Sequence, residues 1–526
     1  MPKHPVLYQC NTRIAARQFA RDLPSKTSLP VRIDSLPVRL DNLPVRLDNL
    51  PVRLDAFPES FLDFLSDSGV SILWLLSVWQ TGERSRMVSR TNPQWVPEFH
   101  HTLDSLQTDD IGGSGFAIAS YQVSDQLGGP DSLAALRERL STRGIKLMLD
   151  FVPNHMGLDH PWLESNPEYF IQGSLEHLRS EPQNYFVYEP TGQIFAHGRD
   201  PYFSGWADTV QLDYSCSELR TKMQLELLQI ADQCDGVRCD MAMLLTPRVF
   251  EKTWGRRIEP FWNETIALTK QRHPSFLMMA EVYWDMEWEL QEEGFDYCYD
   301  KRLYDRLRDD DKLGVRNHLE ANIGYQSRLA RFLENHDEAR AASILPLARH
   351  IPAAVLTYLS PGLRFFHDGQ FEGKRVKVSP HLIRAPEEPC DRDIQVLYRR
   401  ITDLLKDPIF QEGEWELLDV QRAWHDNWSS DCLVAWVWKS PATSRIMLCI
   451  VNLAEHEAQG KIAIPEWLRD FRSRSWINHW PIDPKSDADV DKVASAQFVI
   501  PQSQWSDGEW TFFAAGSQVI VAECIG

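Results

Sequence analysis

Five apolar runs in this chain each end in polar residues, most of them acidic, and that repetition limits the folds it can adopt. They are Ile145–His155, Cys234–Asp240, Phe276–Glu281, Leu329–Asp337 and Leu363–Asp368. A run that is apolar on both faces fits a strand buried on both sides, as in a parallel sheet covered by helices. Two further runs, Pro5–Arg13 and Val70–Trp79, precede them, and Phe295–Tyr299 adds a short one. Helical stretches separate the runs: Phe57–Ser66, Asp131–Arg143 with Asp131 as its expected N-cap and Gly144 closing it, Ser217–Gln233 and Asp393–Leu405. Eight strands alternating with helices predict an α/β chain folded as a (β/α)8 TIM barrel, in preference to an open doubly wound sheet. No glycine-rich turn follows any strand, which argues against nucleotide binding.

In such a barrel the C-terminal ends of the strands converge on one mouth. Four runs deliver Asp150, Asn154 and His155, then Arg238 and Asp240, then Glu281, then His336 and Asp337 to that end. At strand spacing Arg238 and Asp240 share a face, and a carboxylate beside a fixed cation stays ionised, as a nucleophile must. Taken alone, that pair reads better as a structural ion pair at a strand end. Three carboxylates from three strands, with two histidines and an arginine but no metal-type companions, point instead to glycoside chemistry. There one carboxyl stays protonated as the acid while another stays ionised as the nucleophile.

The rest of the chain is organised around that unit. SLPVRID, SLPVRLD and two copies of NLPVRLD run head to tail over residues 28–55, and a proline in every unit excludes a coiled coil. They read as a tandem expansion in a loop after the first strand. Residues 156–215 lack a long helical period and form an irregular insertion, so the barrel takes 1–155 and 216–407. Beyond residue 408, Cys432–Trp438, Ile446–Val451 and Ser517–Ala522 are strand-like, with turn-rich gaps, and predict a C-terminal all-β sandwich over 408–526. A net charge of −20 disfavours a nucleic-acid partner. No apolar stretch is long enough to span a bilayer, the N-terminus does not resemble a secretory signal, and nine scattered cysteines fit a reducing compartment. A cytoplasmic location is the expectation. The oligomeric state is not legible.

Four short stretches carry a resemblance. DFVPNH at 150–155, GVRCD at 236–240, AEVYW at 280–284 and ENHDE at 334–338 occur in the order found in the α-amylase superfamily of glycoside hydrolases. The resemblance covers about residues 5–400. It implies a retaining double displacement on α-glucosidic bonds, most simply α-1,4, with an α-glucan or maltooligosaccharide as substrate. By position, Asp240 would be the nucleophile, Glu281 the general acid/base and Asp337 the third carboxylate, gripping sugar hydroxyls. His155 and His336 would hydrogen-bond the sugar, Arg238 would hold Asp240 ionised, and Phe116 would stack under the ring where a tyrosine is usual. Asp150 and Asn154 would be supporting residues, and 156–215 would be the superfamily's domain B. Many members follow the nucleophile with Lys-His, which contacts substrate and helps a calcium site; here stand Ala242 and Met243. No metal or other cofactor is therefore assigned, and Asn154 is the one candidate calcium ligand. Two alternatives share the motifs: a transglycosylase using the same intermediate, and a barrel that binds carbohydrate without catalysis.

Overall fold

A computed structural model of the protein describes residues 1–22, 53–471, 475–480, 496–499, 504–506 and 508–525. Most of the repeat at 28–55 lies outside the described residues. Of its end, Leu54 is buried, and Asp55 exchanges hydrogen bonds with Ser132 through its backbone N–H (2.9 Å) and carboxylate (2.7 Å).

Eight parallel strands close into a barrel. They are β1 (Val6–Asn11), β2 (Ile72–Leu76), β3 (Lys146–Phe151), β4 (Gly236–Cys239), β5 (Leu277–Ala280), β6 (Tyr297–Tyr299), β7 (Leu329–Arg331) and β8 (Leu363–His367). Each pairs with the next, and β8 returns to β1. Nearly every residue of these strands is buried, because side chains on one face fill the barrel and those on the other meet the surrounding helices. β6 has only three residues yet pairs on both sides. At the start of β4, Gly236 is required by a close approach: a Cβ there would lie 2.8 Å from the Leu277 carbonyl oxygen.

Local boundaries depart from expectation in two places. The first strand stops at Asn11, and Thr12 opens a helix to Asp22. Asp131 is not an N-cap. Gly128, in the left-handed region at φ 96°, turns the chain so that the helix begins at Gly129, which leaves Asp131 exposed in its first turn. An acid there still faces the positive end of the helix dipole. Gly144 follows the helix end with φ 71°.

The barrel's connections are unequal. After β2, residues 77–128 form a two-stranded ribbon (Trp79–Thr81 with Ile118–Val123) and two helices, Glu83–Thr91 and Trp95–Thr102. After β3, residues 156–215 carry short helices and two small ribbons, and His155–Gly157 pairs with Thr209–Gln211 to tie the excursion to the barrel.

C-terminal to the last barrel helix, a six-stranded and a four-stranded antiparallel sheet enclose a second core that includes Leu433, Ala435, Val437, Ile462 and Trp510. Strand alternation sends Val434, Trp436 and Trp438 the other way, into the barrel's core. The indole N–H groups of Trp436 and Trp438 both donate to the Leu359 carbonyl, at 3.2 and 2.7 Å. Among the described residues no helix is long and apolar enough to cross a membrane.

This seam gives a stability prediction. Trp438→Ala removes a fully buried ring and one indole donor, and should cost about 3–5 kcal/mol. Thermal unfolding should show a markedly lower transition; an unchanged one would mean that the sandwich does not rest on the barrel through this residue.

Candidate active site

The sheet ladder continues past the strand ends and sets two carboxylates side by side. The Asp240 N–H donates to the Phe151 carbonyl at 2.8 Å, and the Glu281 N–H to the Cys239 carbonyl at 3.0 Å. Cys239 and Ala280 are register partners, so the residues that follow them, Asp240 and Glu281, leave the sheet together. Met241 then adopts the left-handed region (φ 43°), uncommon for a non-glycine residue, and its N–H meets Glu281 Oε2 at 2.7 Å.

Beneath both carboxylates lies Arg238, 1% exposed. Its Nη1 donates to Asp240 Oδ1 at 2.5 Å, its Nη2 lies 2.7 Å from Glu281 Oε2, and its Nε donates to the Tyr299 hydroxyl at 3.3 Å. The faces of Trp74 and Phe116 lie 5.4 and 5.2 Å from the guanidinium carbon. Burial opposes the charge, but Glu281, Tyr299 and Asp240 outweigh it and hold the guanidinium above its ordinary pKa.

The carboxylates open onto a cavity of about 350 Å³, lined in part by Asp240, Glu281, Asp337, Phe116 and His155. Five of the expected site residues therefore share one chamber. Asp337 is the exposed member, with a side chain 39% accessible at the mouth. His336 sits behind it, its Nε2 3.0 Å from Asp337 Oδ2, its Nδ1 2.7 Å from the Gln9 amide nitrogen, and its ring stacked on Phe116 at 5.4 Å.

Asp150 is buried below the cavity. Its carboxylate accepts from Trp74 Nε1 (3.0 Å) and the Ser77 N–H (2.9 Å), and thereby ties β3 to the end of β2. Ala242 and Met243, where Lys-His is common in the resembled superfamily, are fully buried.

The carboxyls differ in environment. Burial pushes Glu281 up, the Asp240 and Asp337 charges act the same way, and Arg238 opposes them. The Tyr283 hydroxyl donates to Glu281 Oε1 at 2.7 Å. Burial raises Asp150 to about 6 against the pull of Arg238. It lowers His155 and His336, so both imidazoles are neutral at pH 7.

Asn154, the candidate calcium ligand, is saturated by protein. Gln211 Nε2 donates to the Asn154 carbonyl (2.9 Å) and Oδ1 (3.1 Å), while Asn154 Nδ2 donates to Gln211 Oε1 at 3.2 Å. Among the described residues no group of three or more His, Cys, Asp or Glu side chains is arranged to hold a metal ion. At Asn154 an amide pair clamps the excursion to the barrel.

Several lining residues carry no sequence signal of their own. Asp200, Trp206 and Asp208 come from the excursion, and Trp95 and His381 from two other connections. Asp208 is buried, its Oδ2 has no protein partner, and burial raises it to about 7. Only Tyr283, two residues after Glu281 inside AEVYW, could have been singled out beforehand.

The amide clamp is testable. Gln211→Met keeps the volume but strands buried polar groups of Asn154 and Leu212, at about 1–3 kcal/mol per group. The melting temperature should fall and residues 156–215 should become more susceptible to limited proteolysis, whereas a chelator should leave the wild-type melting temperature unchanged. A chelator-induced drop would show that a metal holds the excursion.

Comparison with known proteins accords with this geometry. A family model described as "Alpha amylase, catalytic domain" matches residues 60–374. Alpha-amylase MalA of Haloarcula japonica is 24% identical over 327 residues, which is 60% of this chain and 40% of that protein. Alpha-amylase 3 of Dictyoglomus thermophilum is 22% identical over 291 residues, 51% of this chain and 55% of that protein. The chain thus spans about half the length of these curated relatives. The crystal structure of the noncanonic maltogenic alpha-amylase AmyB from Thermotoga neapolitana superposes with a TM-score of 0.65 at 16% identity, covering 100% of this chain and 99% of that one, a likeness of fold. With its catalytic-domain match extending over more than half of its length, the chain belongs to the alpha-amylase family.

Proposed function

We propose that the protein is a retaining glycoside hydrolase that cleaves α-glucosidic bonds, chiefly α-1,4, in glucans or maltooligosaccharides. One observation carries the reading: a single buried guanidinium holds Asp240 and Glu281 together at the cavity floor, while burial and the Asp240 and Asp337 charges favour the protonated form of Glu281 against the pull of Arg238. Acceptors on the two Nη atoms of one arginine lie close together, which supports the retaining spacing of about 5–5.5 Å over the wider inverting one. The names of the relatives, alpha-amylases both, support the α-glucan class.

In this reading Glu281 gives its proton to the glycosidic oxygen as the bond to the anomeric carbon breaks, and Asp240 attacks that carbon to form a glycosyl ester. Glu281, now a carboxylate, takes a proton from water. The water oxygen displaces Asp240 and regenerates both groups. Phe116 stacks under the reacting ring, His155 and His336 donate to its hydroxyls, and Asp337 grips hydroxyls from the mouth.

Asp240→Asn should lower turnover on maltooligosaccharides by on the order of 10⁴-fold or more. Glu281→Gln should lower it about 10²–10⁴-fold, but less on α-glucosyl fluoride, whose leaving group needs little protonation. Retained turnover in either variant on a maltooligosaccharide would overturn the assignment. The acid must hold its proton in the free enzyme, so kcat/KM should fall as pH rises through the elevated Glu281 value. In Glu281→Gln that alkaline limb should vanish from the profile.

A further inference from the structure

The two carboxyl oxygens of Glu281 are not equivalent. Oε2 accepts the Met241 N–H at 2.7 Å and has Arg238 Nη2 at the same distance. Both neighbours are donors with no lone pair to offer, so a proton on Oε2 would point at another donor. The proton of the neutral acid therefore belongs on Oε1. Among the described residues the hydrogen-bond partner of Oε1 is the Tyr283 hydroxyl, at 2.7 Å. A hydroxyl can donate or accept, which suits an oxygen that alternates between carrying a proton and carrying charge.

Tyr283 is itself firmly placed. Its ring packs against the core, and the residue lines the cavity together with Glu281. The chain turns directly after it, with Trp284 and Asp285 both in the left-handed region at φ 63° and 60°. That conformation is strained for a side chain as bulky as tryptophan and persists where the surroundings hold it. Arg302 does so here, its Nε donating to Asp285 Oδ1 at 2.7 Å. Burial raises the Tyr283 hydroxyl well above its ordinary range, and the Glu281 and Asp337 charges act the same way. The phenol thus keeps its own proton throughout the working pH range. It serves Glu281 as a hydrogen-bond partner and not as a second acid.

We propose that Tyr283 is a positioning residue for the acid/base: its hydroxyl holds the transferable proton of Glu281 on Oε1 and stabilises the carboxylate formed when that proton leaves. This role rests on Glu281 being the acid/base. In the first step Oε1 gives its proton to the glycosidic oxygen, which keeps the electron pair of the breaking bond to the anomeric carbon. The Tyr283 O–H then donates to the charge left on Oε1. In the second step Oε1 takes a proton from the attacking water and that charge disappears. Tyr283 neither gains nor loses a proton in either step. Packing would need only the ring; the hydroxyl on Oε1 is what packing leaves unexplained.

The experiment is Tyr283→Phe in the full chain, which removes one oxygen and keeps the ring. On a maltooligosaccharide kcat should fall roughly 10–100-fold, the effect of one hydrogen bond to a charged group. KM should stay within about twofold, because the bond strengthens only as charge develops. The loss should be smaller on α-glucosyl fluoride. The alkaline limb of kcat/KM should move up by about one pH unit. The sign follows from the donor: it favours the charged carboxylate, so losing it raises Glu281 further and keeps the acid protonated to higher pH. Arg238 and Asp240 from β4 and Asp337 beyond β7, the charged groups facing Glu281, are kept in this variant, as is Tyr299 behind Arg238. An unmoved limb would overturn the proposal, as would a limb moved to lower pH, the result if the hydroxyl instead accepted from the neutral acid. So would a wild-type kcat, or a rise in KM that accounts for the whole loss in kcat/KM. Failure of the underlying reading is separate, since it shows as an alkaline limb that persists in Glu281→Gln, and it takes this role with it.

Discussion

Everything at the mouth of this barrel depends on one buried cation. Arg238 lies where solvent barely reaches and satisfies two carboxylates from adjacent strands as well as a tyrosine hydroxyl. Burying a lone charge is prohibitive, and removing one partner of a buried ion pair costs about 3–5 kcal/mol. The arginine and the acids therefore have to be acquired together. The arrangement also separates the acids. Asp240 takes one nitrogen of the fork, whereas Glu281 takes the other and also accepts from the Met241 N–H and the Tyr283 hydroxyl, so the two carboxyls sit in different surroundings. Three aromatic faces surround the guanidinium at between 5.2 and 5.8 Å and keep water from screening it.

The barrel supplies the chemistry, and its connections shape the space. The excursion after β3 contributes Asp200, Trp206 and Asp208 to one wall, and the connection after β2 contributes Trp95 and Phe116. His381 links two connections, its ring tilted against Trp95 at 4.5 Å and its Nδ1 2.8 Å from Ser89 Oγ. The excursion's wall is only as well placed as its anchorage, and the Asn154–Gln211 amide pair with the His155–Gly157 ribbon provides it. Asn154 thus acts at the root of the wall, away from the reacting groups.

Much of the fold could be read because its signals are local. Apolar runs such as Ile72–Leu76 declare a strand buried on both faces, and even the three-residue β6 was visible as a short run before its aspartate. The start of the helix at Gly129 was harder to place. Asp131 is a good capping residue in isolation, and only the left-handed Gly128 preceding it moved the first turn upstream. The helix Trp95–Thr102 in the connection after β2 packs in a small cluster with other connections, Phe99 beside Ile111 and Leu382.

The sequence by itself determined which residues stand at the strand ends, because a strand's period of two and its termination in polar residues are covalent facts of the chain. That was enough to bring Asp240, Glu281, Asp337 and His155 to one mouth, whereas Phe116 was expected there only from the resemblance. Tertiary structure alone decided what surrounds them: that Arg238 reaches Glu281 as well as Asp240, that Asn154 meets Gln211, and that Asp200, Trp206 and Asp208 line the same cavity. These contacts join residues many positions apart through loops with no periodic pattern. Their partners are set by how the closed barrel brings its connections together, and no local propensity encodes that.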